Sequence, residues 1–466
     1  MKRLISLSFV IFHLSLTPAG AQTAWTMQQC MQYAIDHNHA VKQAELELDN
    51  YKAARTGAIG RFMPAVGASI GGQYNFGRAI DPETNLYTDV STFYNGYSLQ
   101  ASLPVFDGFS RIHALRAAKA SQLMGQSVLR QRQNQTALDV LQTYANVVYY
   151  EGLVEMADEK VKETDLLLRQ TSLLEEVGRK SAADVAQVQS QKAEADYELA
   201  RQQNLLNSAL LELKKTMAFP LSEELRVESA EGLARRPEGE SQFATGVVSS
   251  AGNAVANSCV ATIASERSTS APLSTLHSSL LAARYQMQVS IHEWRQARAA
   301  LLPSLSLSAG LNTTYYHTLH SDAGQSFRTQ FKNNMGEYVG ATLSIPLFNR
   351  LQTITSIRQA RNNYRIAREN YEQQQLELEK LSREAWQDWQ AYQKQTEQMT
   401  KKVEADSIAY RLTRRQFEEG LSTAIDLHTT SAQLLKSKAT LLQCQLMTIV
   451  KEQLVRYYRG ETIWTE

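Results

Sequence analysis

The chain repeats itself at a fixed distance, and this duplication limits what it can fold into. Pro104 and Pro346, Gly178 and Gly420, and Asp184 and Asp426 each stand 242 residues apart. Upstream, Arg61-Phe62-Met63-Pro64 matches Ala300-Leu301-Leu302-Pro303 at an offset of 239, so only the segment after each of these prolines changes length, by three residues. A repeat of this size means two copies of one architectural unit.

Proline spacing says what each unit contains. The nine prolines fall at 18, 64, 82, 104, 220, 237, 272, 303 and 346, leaving 105–219 and everything after 346 without one. Proline removes a backbone donor and breaks a helix, so long helices belong in these two gaps. After Pro346 the only glycines are Gly420 and Gly460, and Ala, Leu, Gln, Glu, Lys and Arg dominate, a strongly helix-forming mixture. Residues 350–418 read as one helix, about 100 Å long at 1.5 Å per residue. Ile357, Ala360, Tyr364, Ala367, Tyr371, Leu378, Leu381 and Ala385 recur at alternating spacings of three and four, broken only by Gln374, which predicts a coiled-coil seam.

Four other stretches alternate with period two. After Pro64, Val66, Ala68, Ile70, Tyr74 and Phe76 oppose Gly67, Ser69, Gly71, Gln73 and Asn75; before Pro104, Phe93, Tyr97, Leu99, Ala101 and Leu103 oppose Tyr94, Gly96, Ser98, Gln100 and Ser102. The second copy repeats this with Leu305, Leu307, Ala309 and Leu311, and with Val339, Ala341, Leu343 and Ile345, each set alternating with small or polar residues. Alternation also suits a soluble sheet with one face on a core. Two features favour a membrane: aromatics gather at the strand ends (Tyr74, Phe76, Phe93, Tyr94, Tyr315 and Tyr316; Phe62, Phe106 and Phe348), and the polar faces are too small to fill a core. Each strand has the length of a tilted bilayer-spanning strand. Four strands cannot close a barrel, and an open edge in lipid leaves backbone groups unsatisfied. The chain must therefore oligomerise, as a dimer of eight strands or a trimer of twelve. The long polar loops 77–91 and 319–332 are placed outside the cell, with the helices on the periplasmic side.

Met1, Lys2 and Arg3 precede the apolar run Leu4 to Leu16 and then Ala19-Gly20-Ala21, the order of a signal peptide, so the mature chain is expected to start at Gln22. Gln22 rather than a cysteine at the cleavage point argues against a lipid anchor. Cys30, Cys259 and Cys444 lack any CxxC spacing and read as unpaired packed thiols. Lys and Arg total 48 against 47 acids, and losing Lys2 and Arg3 leaves the mature chain near neutral, with no basic arm for nucleic acid. GxSxG, Walker A, HExxH and paired CxxC motifs are missing, and the pairs His37/His39 and His317/His320 are isolated, so no catalytic residue, cofactor or metal site is expected.

Gly178-Arg179-Lys180-Ser181-Ala182-Ala183-Asp184 and Gly420-Leu421-Ser422-Thr423-Ala424-Ile425-Asp426 are one device written twice. The glycine ends one helix in the left-handed conformation and Ser181 or Thr423 caps the next, with an acid three residues on. In a purely structural reading the aspartates complete the caps, each cap being worth about 0.5–2 kcal/mol.

These residues carry a resemblance to the outer-membrane efflux protein family, the TolC-like channels. It rests on Thr26-Met27-Gln28-Gln29-Cys30-Met31-Gln32-Tyr33-Ala34 with Asn38, on Leu103-Pro104-Val105-Phe106-Asp107-Gly108 and Ile345-Pro346-Leu347-Phe348-Asn349, and on the turns at Gly178 and Gly420, covering most of 25–458. The resemblance implies a mainly α fold with a membrane β-barrel. In it, a duplicated helix, strand-pair and helix unit gives four strands per chain to a homotrimeric 12-stranded barrel, continued by a long α-helical periplasmic barrel. It also implies a passive conduit for drugs, toxic solutes or proteins in a tripartite efflux or type I secretion system, docked to a periplasmic adaptor and an inner-membrane pump. On this pattern the chain divides into a signal peptide (1–21), a first repeat (22–219, strands about 62–76 and 92–106, helices to 217), an equatorial irregular segment (220–274), a second repeat (275–460, strands about 302–316 and 335–348, helices to 458) and a tail (461–466). About 36 residues intervene between Arg236-Pro237-Glu238 and the next helix, where the family usually has few, and Gln242–Ser274 reads as a loop or locally altered sequence. Carried over residue by residue, Asp426 becomes the candidate gate carboxylate and Asp184 a tip contact, while the family's second acid falls on Thr429. The competing readings are a non-channel coiled-coil surface protein, which leaves the strands unexplained, and an outer-membrane enzyme, which lacks a catalytic constellation.

Overall fold

The computed structural model describes residues 24–80, 87–89, 91–228, 277–319 and 325–464. The expected signal peptide, Arg236-Pro237-Glu238, the stretch Gln242–Ser274, Cys259 and His320 lie outside the described residues. Within them the order is α1 (Met27–His37), α2 (His39–Gly60), β1 (Ala65–Asn75), β2 (Arg78–Ile80), β3 (Tyr87–Asp89), β4 (Thr92–Phe106), α3 (Ser110–Glu176), α4 (Ala182–Met217), α5 (Ser278–Ala299), β5 (Ser304–Thr318), α6 (Phe327–Asn333), β6 (Gly336–Ser344), α7 (Gln352–Glu418) and α8 (Ala424–Tyr458).

The fold keeps the duplication to the residue. Helices α3 and α7 are both 67 residues long and start 242 apart; α2 and α5 are both 22 long and start 239 apart. Each long helix is entered through two successive left-handed residues, Gly108 and Phe109 at φ +65° and +70°, Arg350 and Leu351 at +56° and +64°. The seam read on α7 is the face it turns inward: Ala367, Leu378 and Ala385 are buried, and Ile357, Ala360, Tyr364, Tyr371, Gln374 and Leu381 are half-buried. A stripe at this spacing faces a neighbouring helix because 3.5-residue periodicity keeps one side of the cylinder in line. No described helix is long and apolar enough to cross a membrane.

The four long strands form one antiparallel sheet in the order β1-β4-β5-β6, with β2 and β3 a separate small ribbon. Ala65 pairs with Ser102 in the first hairpin and Ser304 with Ser344 in the second, so the offsets of 239 and 242 carry one register onto the other. Between the hairpins, β4 pairs with β5 over its full length, Thr92 opposite Thr318 and Ser102 opposite Ser308.

The main core lies at mid-height of the helices, where α1, the middle of α3 and the ends of α4 and α8 meet residues 219–227. Met31, Val140, Leu141, Tyr144, Val148, Leu213 and Met217 are buried there. The Tyr144 hydroxyl donates to Trp25 O at 3.1 Å and accepts from Glu228 N at 3.2 Å, tying in the adjoining segments, and Trp25 bridges Val227. Burial pushes the Tyr144 phenol up, beyond any physiological titration. Cys30 and Cys444 are free and buried.

The connection between β5 and β6 contains a helix where the sequence suggested only a polar loop. Helix α6 lies where β6 would have continued, and Gln330 takes the place of a strand: Tyr316 N donates to its Oε1 at 3.0 Å and its Nε2 donates to Tyr316 O at 2.9 Å. Asn334 Nδ2 donates to Thr314 O at 2.8 Å. These amides satisfy backbone groups along the β5 edge that β6 leaves open.

Candidate functional site

Two parts of the molecule carry the residues that the sequence singles out: the two-faced sheet and the paired helical tips. Register sorts the sheet side chains into continuous rows. Val66, Ala101, Ala309 and Val339 run across one face, as do Leu103, Leu307 and Ala341; Ser69, Ser98, Asn312 and Gly336 run across the other. The Ser69 and Ser98 hydroxyls are 2.8 Å apart and hydrogen-bonded. The apolar face is left bare by the chain itself, with Val66 65 %, Ile70 75 % and Val339 88 % exposed. A soluble sheet buries such a face; a barrel wall turns it to lipid and lines an aqueous lumen with the small polar rows. Aromatics cluster at both ends, Tyr74 against Phe93 at 4.8 Å between ring centroids and Phe106 against Phe109 at 5.4 Å. Above the sheet, Phe327 and Phe331 of α6 pack on Tyr97 at 6.0 and 5.4 Å.

At the far end of the helices each sequence-read tip residue falls where its chemistry requires. Gly178 and Gly420 adopt φ +70° and +79°, and the next amides, Arg179 N and Leu421 N, reach back to Leu174 O and Gln416 O at 2.8 and 2.7 Å. This closure needs a left-handed residue, which glycine supplies without a Cβ clash. Ser181 caps α4 and Thr423 caps α8: Asp184 N and Asp426 N donate to the hydroxyls at 3.2 and 3.1 Å, and the backbone N–H groups of Ser181 and Thr423 donate to the aspartate Oδ2 at 3.0 and 3.1 Å. The hydroxyls also donate to the same oxygens, and Ser422 adds a further bond to Asp426 at 3.3 Å. Both carboxyls are held below the usual carboxylate range, Asp184 by the Ser181 backbone and hydroxyl with help from Lys180, Asp426 by the Thr423 hydroxyl and backbone and by Ser422. Every bond these two carboxylates accept falls on Oδ2. Thr429 turns its hydroxyl onto Ile425 O at 2.8 Å and adds no charge.

The two turns sit side by side. Val188, Phe417, Ala424 and Leu427 form a small buried cluster between the hairpins, and Gln191 Nε2 donates to Ala424 O at 3.2 Å, holding the second cap against α4. Lys180 lies over the Phe417 ring at 4.2 Å. Sequence reading did not single out Gln191, Lys180 or Phe417, because nothing in local spacing marks a contact between residues over 200 apart. No group of three or more metal-ligating side chains occurs among the described residues.

A bare apolar sheet face, a small polar opposite face, open strand edges and long paired helices together define a protomer of an outer-membrane channel. The chain belongs to the outer membrane efflux protein family, whose model matches residues 30–218 and 275–457, one span in each copy of the repeat. The family consists of passive outer-membrane channels, not enzymes. Solved structures share the fold: CusC at TM-score 0.76 and 15 % identity, covering 94 % of this chain and 92 % of that one; and VceC from Vibrio cholerae at 0.74 and 14 %, covering 94 % and 96 %. The Campylobacter jejuni outer membrane channel CmeC matches at 0.74 and 15 %, covering 93 % and 85 %. No curated protein matches the chain in sequence.

Proposed function

We propose that this efflux channel is a homotrimer whose twelve strands close a barrel in the outer membrane and whose helices form a tunnel in the periplasm. The observation that carries this reading is the four-stranded sheet that has, among the described residues, an uncovered apolar face and two unpaired edges, an arrangement that lipid tolerates only in a closed ring. The segments joining β1 to β4 and β5 to β6 then lie outside the cell, and each repeat supplies one strand pair and one tip.

The channel serves as a passive conduit in a tripartite efflux or type I secretion assembly, docked through its tips to a periplasmic adaptor and an inner-membrane pump, for drugs, small toxic solutes or proteins. Gly178, Ser181 and Asp184, with Gly420, Thr423 and Asp426, form the gate region. Asp426, exposed and charged beside the exposed Leu421 and Ile425, supplies the constricting ring; Asp184, half-buried, is a tip contact. Three charged carboxylates at a constriction favour multivalent cations and repel one another when the tunnel narrows.

Planar-bilayer recording of the purified protein tests the reading. Discrete, long-lived channels are expected, and Asp426→Ala should raise closed-state conductance or weaken block by multivalent cations. Absence of channels from folded protein sinks the conduit; unchanged values in the variant reduce Asp426 to a cap.

A further inference from the structure

Among the described residues the two outer strands of the sheet, β1 and β6, have no strand partner on one side, and the duplication says what covers them and in which register. We infer that β6 of one copy pairs antiparallel with β1 of the next, with Ser344 opposite Ser69, Leu343 opposite Ile70 and Val339 opposite Tyr74. This rests on the ring-closure reading above but does not depend on how many copies close the ring.

The β4–β5 contact joins the end of the first copy of the repeat to the start of the second. Ring closure makes the converse contact, the end of the second copy against the start of a neighbour's first. Offsets of 242 for β4 to β6 and 239 for β1 to β5 are already obeyed by both hairpins. Applied to the observed pairs Ser102↔Ser308, Ala101↔Ala309 and Tyr97↔Thr313, they give the three inter-subunit pairs named.

Independent features of the free strands agree. The register sets the apolar Leu343 and Val339 against the apolar Ile70 and Tyr74, and Ser344 against Ser69, whereas a slip of one residue turns every side chain to the wrong face. A slip of two would keep the faces but spoil the ends. In the inferred register Gly336, the first residue of β6, meets Gly77, where the chain turns away at φ +105° directly after β1 and Phe76. At the other end residues 345–348 stand outside any strand, with Leu347 92 % and Phe348 78 % exposed, although their counterparts 103–106 are strand in β4. The neighbour's first β1 residues supply the partner they lack.

The equivalence stops at the collar where the sheet passes into the long helices, at Gly108 and Phe109 in the first copy and Arg350 and Leu351 in the second. A Cβ on Gly108 would lie 2.5 Å from Ala299 O, and the second copy has Arg350 in that place. The collar between subunits therefore stands wider than the collar within one, while the strands keep their spacing.

Disulfide trapping in the full-length protein in its membrane tests this. Ser69→Cys with Ser344→Cys should form covalent multimers about ten-fold faster than Ser344→Cys with Gly67→Cys or Gly71→Cys, because directly opposed Cα atoms fall within disulfide range and diagonal ones lie near its limit. Ser102→Cys with Ser308→Cys, the observed intrachain equivalent, sets the reference rate, and each single variant corrects for the native cysteines. Faster trapping by a shifted pair, or none by any pair while the particle mass stays oligomeric, overturns the register alone. A monomeric mass overturns ring closure and the register together.

Discussion

The first and second copies of the repeat trace the same backbone and use different side chains where each meets its surroundings. Both enter a 67-residue helix through two left-handed residues, but the first uses Gly108 under the close approach of Ala299 O, and the second uses Arg350. Beside these, Asp107 pairs with Arg111 at 2.9 Å in the first copy, while Asn349 bonds Thr353 in the second. The caps of α2 and α5 correspond as well, yet one is Asn38 and the other His277. Backbone geometry is thus copied and chemistry is assigned by position: the first copy has a glycine under a close backbone approach and an ion pair, and the second has Arg350 beside a neutral Asn349–Thr353 pair.

The collar gives the largest expected contrast. Gly108→Ala should cost about 2–4 kcal/mol, from left-handed strain plus contact with backbone that cannot yield. Arg350→Ala should be nearly neutral, and Arg350→Gly should stabilise by up to about 1 kcal/mol. Thermal or denaturant unfolding of the three variants measures this, and equal losses at positions 108 and 350 would break the comparison.

Acid should separate the two copies next. His277 is buried, its Nδ1 lies 2.7 Å from Ser279 Oγ, and burial lowers its pKa from 6.5 to about 4. The folded state therefore binds fewer protons than the unfolded one, so stability falls as pH drops from about 6.5 towards 4. Asn38 holds Ala40 N at 2.8 Å and Thr216 O at 2.8 Å without titrating. Amide exchange corrected for intrinsic rate should rise in the first turn of α5 over this range and stay level in α2. His277→Asn should abolish the difference.

The tips should behave alike when cut back and differ only in salt. Ser181→Ala and Thr423→Ala should each cost about 0.5–2 kcal/mol of local stability, read as faster exchange of the Asp184 and Asp426 amides. Both carboxyl pKa values are depressed, so their contribution is complete above the ordinary carboxylate range and is lost as pH falls through the lower folded values. The smallest effect is specific to the first tip: added salt should weaken the Lys180 contribution to Asp184 and leave Asp426, held by hydroxyl and amide bonds, unmoved.

Much of this was legible in the sequence because the signals are local. The α7 seam follows from a period, and the tips follow from Gly178, Ser181 and Asp184 and from Gly420, Thr423 and Asp426, where each cap is settled within seven residues. Helix α6 is seven residues long, too short for periodicity to show, although Phe327 and Phe331 at a spacing of four with Ser326 before them were a faint sign. The left-handed Arg350 and Leu351 carry no glycine to announce them. Gln191, through one bond to Ala424 O, and Gln330, through a pair of bonds to the Tyr316 backbone, act on chain segments that only the folded backbone brings near, and composition assigns such residues to the surface.

A chain with four membrane strands should complete its barrel only with copies of itself. Native mass measurement of the full-length protein extracted in mild detergent tests it most directly. Three chains per particle, with the strand signal retained, is the predicted result; a monodisperse, folded single chain would contradict it.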